Sequence, residues 1–144
     1  MEKILKEKLW DYIIHNNPDL MFILQEKYGV ADYLNEKVNG VLALVDELLS
    51  DSIPSEIIEE ICINVLTEDL KPSRFIYLRS LLSEEFKEVC NQFIEAGSLT
   101  SEVINLLETC KQIFDIIGFT KDNKNDPGLR TALINHITDY LSKH

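Results

Sequence analysis

Apolar residues recur at steps of three and four along almost the whole chain, the period of helices with one buried side. The first such segment covers residues 2–15, with Ile4, Leu5, Leu9, Trp10, Tyr12 and Ile13 inside and Lys3, Lys6, Glu7 and Lys8 mostly outside. Asn17-Pro18 restarts the chain, since Asn caps a helix start and Pro suits its first turn. A short helix through Leu20, Phe22, Ile23 and Leu24 then ends near Gly29. The third segment, residues 31–49, is the longest. Its stripe of Leu34, Val38, Val41, Val45 and Leu48 is widened by Leu42, Leu44 and Leu49, which predicts a buried bundle helix rather than a two-stranded zipper. Gly40 weakens its middle.

Ser52-Ile53-Pro54-Ser55 opens a fourth helix, whose inward side is expected to hold Ile57, Ile58, Ile61, Cys62, Val65 and Leu66. Leu70-Lys71-Pro72-Ser73 breaks it and starts a fifth, with Phe75, Ile76, Leu78, Leu81 and Leu82 inside. Ser83-Glu84-Glu85 begins a new helix or continues this one through Phe86, Val89, Cys90, Phe93 and Ile94, and Gly97 stops it. Thr100 or Ser101 caps a segment with Val103, Ile104, Leu107, Cys110, Phe114 and Ile117 inside, and Gly118 ends that one. Residues 120–125 are the most polar stretch and read as a mobile loop. Asp126-Pro127 starts the last helix, which docks through Leu129, Leu133, Ile137, Tyr140 and Leu141. No segment alternates long enough to be a strand. The expectation is an all-α, single-domain multi-helix bundle of about seven helices spanning residues 1–144.

Charge adds a direction to this pattern. The formal net charge is -11, and residues 29–70 hold ten Asp/Glu against one Lys. Asp46, Glu47, Asp51, Glu56, Glu59 and Glu60 form the centre of that acidic wall, and Glu56, Glu59 and Glu60 are expected to share one exposed face. An acidic balance argues against direct nucleic-acid binding and against docking on anionic membrane. Lys71 and Arg74, interleaved with Phe75 and Tyr77, make a second candidate surface, with Arg79 close by.

Chemistry is thin. The three cysteines, Cys62, Cys90 and Cys110, are widely spaced and read as buried free thiols of a cytoplasmic protein. The N-terminus lacks a signal-peptide run, and no stretch is apolar enough to span a membrane. No metal, phosphate-loop or cofactor motif occurs, so no cofactor is expected. An EF-hand loop starting at Asp122 would need an oxygen ligand at Lys124, Gly at Pro127 and Glu at Leu133, so that match fails. Of His15, His136 and His144, only His136 with one of the cysteines offers a nucleophilic pair.

Leu9-Trp10-Asp11-Tyr12-Ile13 with Asn17-Pro18-Asp19-Leu20, then Val65-Leu66 and Leu70-Lys71-Pro72-Ser73-Arg74-Phe75 with Leu78, Leu82, Glu85 and Phe86, resemble a small Bacteroidetes helical family of unknown function. Asp69 stands where that family has Gly, and Pro72 where it has an aromatic. The resemblance implies an all-helical bacterial domain often carried on conjugative and other mobile elements. The residues themselves point to a non-catalytic interaction module that meets a basic or DNA-binding protein through the acidic wall. A DNA-mimic inhibitor and a small Cys/His enzyme are the alternatives, and homo-oligomerisation through the third helix stays open.

Overall fold

Nine α-helices and one 3₁₀ turn make up the regular structure among the described residues, 1–143, of a computed structural model of the chain. They are α1 (Glu2–Asn16), α2 (Pro18–Glu26), α3 (Val30–Asn39), α4 (Leu42–Ser50), α5 (Ser55–Leu66), α6 (Arg74–Glu85), α7 (Lys87–Glu95), α8 (Leu99–Ile117) and α9 (Pro127–Lys143), with the 3₁₀ turn at Glu68–Leu70. The all-α class is as the periodicity predicts. The count of about seven is corrected to nine, for two local reasons.

The expected long helix over 31–49 is two helices. Val41 leaves the helical region at φ -112 and ψ 2, directly after Gly40. The break aims α3 at α1 and α2 and leaves α4 free to pack on α5. Val38, Val41 and Val45 are all buried, so the apolar stripe runs across the break without a phase change. Periodicity therefore could not reveal it.

Phe86 makes the second break, between α6 and α7, at φ -133 and ψ 53. Asn17 joins α1 to α2 with nearly the same backbone, φ -137 and ψ 57. The first junction is announced by Asn17-Pro18; the second carries no Pro or Gly, and the restart falls later than Ser83-Glu84-Glu85 suggests.

The sequence reading treats residues 1–144 as one domain; the structure groups into two compact units, Met1–Lys71 and the chain from Pro72 onward. In the first, α1 packs on α2, α3 and α5, burying Leu5, Leu9 and Ile13 against Val38, Val45, Ile58 and Cys62. In the second, α8 is central, packing on α6, α7 and α9 and burying Val103, Leu106, Cys110 and Phe114 with Leu78, Leu82, Leu133 and Ile137.

Three helices end in the same six-residue cap. At the end of α2 the Tyr28 N–H donates to Gln25 O and the Gly29 N–H to Leu24 O, with Tyr28 at φ 54. This paired pattern satisfies carbonyls that the helix leaves open. Ser52, at φ 58, plays the part of Tyr28 after α4, and Gly97, at φ 69, does so after α7. Gly suits this left-handed position, but at α2 the cap sits one residue before Gly29. Helix starts follow the sequence more closely: the Ser73 hydroxyl accepts from the Ile76 N–H at 3.1 Å, and Asp126 accepts from the Gly128 N–H at 2.7 Å.

Candidate functional site

The two surfaces suggested by the sequence have different fates. On the first unit, α4 and α5 are joined by the Ser52 turn and pack on each other, and each carries exposed acidic residues. Asp46, Glu47, Asp51, Glu56 and Glu60 are all exposed. Their carboxylates make no ion pair among the described residues.

Glu59 does not belong to this free set. Its side chain is only 15% exposed and its carboxylate lies 3.4 Å from Lys8 Nζ on α1. The cause is the helical step: Ile58 and Cys62 point into the core, and Glu59 follows them around the inner edge of α5. The expected three-glutamate face is therefore a Glu56/Glu60 row, one turn apart.

The inward side of α5 also differs from expectation. Ile58, Cys62 and Leu66 are buried, while Ile57 is 46% and Val65 51% exposed. Ile57, Ile61 and Val65, at successive four-residue steps, form an apolar row beside the row of Glu56, Glu60 and Asn64. At the C-terminal end of the apolar row lies an open groove of about 360 Å³ lined by Lys37, Gly40, Val41, Val65, Leu66, Glu68 and Asp69.

The basic candidates are largely engaged. Lys71 Nζ lies 5.7 Å from the Tyr12 ring centre within the first unit. On the second unit, Arg74 pairs with Asp115 at 2.9 Å and its guanidinium lies 5.0 Å from the Phe114 ring centre. Phe75 is 3% exposed, a core residue with Arg79 lying over its ring at 5.6 Å, so it is not part of a docking surface. Tyr77 meets Phe119 edge-on at 5.1 Å and Phe114 at 6.1 Å. Burial pushes its hydroxyl pKa up, and the neighbouring Arg130 partly offsets this. Arg130 in turn bonds Glu85 at 2.8 Å and Glu84 at 2.9 Å, which holds its pKa above the usual arginine value. In the first unit Lys37 is bonded to Asp69, which raises the lysine pKa. The cations of these clusters thus serve their own units, whereas the α4–α5 carboxylates are left open.

The Cys/His option finds no support in the geometry. Cys62, Cys90 and Cys110 are buried free thiols. Burial pushes the Cys110 pKa up to about 11, away from the thiolate that a nucleophile requires. His136 Nε2 is buried and has no hydrogen-bond partner, so it touches no thiol through that atom. The polar segment near the end of α8 is held by Asn123, whose carbonyl accepts from the Thr120 N–H and whose amide donates to Gly118 O. Among the described residues no group of three or more His, Cys, Asp or Glu could hold a metal ion. No helix among them is long and apolar enough to cross a membrane. The chain matches no family model, no curated protein and no solved structure.

Proposed function

We propose that the protein is a non-catalytic helical interaction module that docks a basic protein partner through the acidic α4–α5 face. The observation that carries this reading is the contrast in pairing. Asp46, Glu47, Asp51, Glu56 and Glu60 stand exposed and unpaired, while Lys8, Lys37, Arg74 and Arg130 are bonded inside their own units. Unpaired charge of one sign speeds encounter with an oppositely charged surface and selects among partners. Buried free thiols support a reducing compartment, the cytoplasm, as the setting. The family resemblance would place the docking in bacterial mobile-element biology.

The test is capture from nuclease-treated native host extract by the chain and by its Glu56→Lys/Glu60→Lys variant. Glu59 is kept because Lys8 depends on it. A basic protein held by the first and lost by the second, with helicity unchanged by circular dichroism, supports the reading. Equal capture by both sinks it. A captured partner whose DNA site is closed by binding would turn the reading toward DNA mimicry.

A further inference from the structure

We infer that the partner presents a short basic amphipathic helix, seated along the Ile57–Ile61–Val65 row of α5 with its lysines or arginines over Glu56 and Glu60. This rests on the acidic-docking reading above and names the partner's chemistry at that same face. Two features carry it. First, α5 has two parallel rows on its outer side, one apolar and one acidic, each stepping by one helical turn. A straight row of apolar side chains in register with a row of carboxylates matches a helix whose own apolar and cationic residues recur at the same steps. The apolar row spans about 12 Å at 1.5 Å per residue, the length of two or three turns of a partner.

Second, the row ends in a concavity. The groove beside Val65 has apolar walls at Val41 and Leu66 and a charged side at Lys37, Glu68 and Asp69. An aliphatic anchor from the partner helix fits there, next to Val65, which is half exposed. Ile57 and Val65 therefore lose water contact only when something covers them, and burying such side chains is the main source of affinity in a helix-in-groove contact. Charge selects the occupant. A second copy of this chain would bring two acidic faces together, and like-charge juxtaposition opposes that. A cationic helix is complementary to both rows.

The probe is a synthetic peptide of about 14 residues, long enough for three to four turns, with leucines on one helical side flanked by lysines. Its scrambled isomer keeps the charge and loses the apolar side. Fluorescence anisotropy with the full chain should give roughly tenfold tighter binding of the amphipathic peptide than of the isomer. Ile57→Ser and Val65→Ser, both at exposed positions, should remove most of that difference. Amide shifts of the wild-type chain should move along α5 and at Gly40 and Val41, which tests the site without any substitution.

Equal binding of the two peptides, or an unchanged difference in the serine variants, overturns the helix proposal while acidic docking survives. If Glu56→Lys/Glu60→Lys leaves both peptides bound as before, the acidic-docking reading falls, and this proposal with it. A dimer seen by sedimentation equilibrium and abolished by Val65→Ser would make a second copy the occupant and overturn the proposal.

Discussion

Lys8 of α1 holds Glu59 of α5 at 3.4 Å, and this pair decides which glutamates the acidic face contains. Lys8 is about half exposed and Glu59 mostly covered, so the bond is shared between a wet cation and a partly desolvated carboxylate. A double-mutant cycle with Lys8→Ala and Glu59→Gln should give a coupling of about 0.5 kcal/mol in urea unfolding, the range of partly exposed pairs. Glu60→Gln, which breaks no pair, should leave stability unchanged. Coupling between Lys8 and Glu60 instead would show that the register of α5 against α1 is different.

Tyr28 and Ser52 occupy left-handed cap positions that strain a side chain. Tyr28 is 95% exposed, so removing its ring costs little packing. Tyr28→Gly and Ser52→Gly should each raise stability by about 1 kcal/mol, seen as a higher urea midpoint with an unchanged slope. Gly97→Ala, at the same position of α7, should lower it by about as much.

Alkaline pH should destabilise the fold. The Cys110 thiol is raised to about 11 by burial, and burial also raises Tyr12, Tyr33 and Tyr77. The unfolded chain therefore releases these protons at lower pH than the native one does. Above about pH 9 the native state holds more protons, so stability falls as pH rises through the window from about 9 to 11. Cys110 alone contributes a slope of up to about 1.4 kcal/mol per pH unit there. Urea midpoints measured from pH 7 to pH 11 should decline across that window in the native chain and less steeply in Cys110→Val. A flat profile would mean that the thiol is more accessible than its burial indicates.

Arg74 and Phe114 test whether the basic cluster is structural. Phe114 is fully buried beneath Arg74 and edge-on to Tyr77 and Phe119. Phe114→Ala should cost about 3–5 kcal/mol, as a large cavity in a packed core does. Arg74→Ala should cost about 1 kcal/mol through the Asp115 pair and the ring contact. Partner capture by Arg74→Ala should be unchanged. Lost capture with intact stability would return Arg74 to the list of docking residues.

Much of the fold was legible because helical period and capping are local properties. The step of three and four residues marked every major helix, Asn17-Pro18 and Asp126-Pro127 marked starts, and Gly118 marked a stop. The break at Val41 was hidden because the apolar stripe stays in phase through it. The break at Phe86 stayed an open alternative, suggested too early at Ser83-Glu84-Glu85, because it uses no Pro or Gly.

At the candidate site, the sequence by itself determined composition: an acidic segment with few cations nearby. Only the tertiary structure decided membership. It took Glu59 out of the exposed face through Lys8, turned Ile57 and Val65 outward, and kept Phe75 in the core, where the helical period had already placed it, rather than on the second surface. The reason is that residues one position apart on a helix differ by about 100° in direction, so a face is defined only once neighbouring helices select which side is covered.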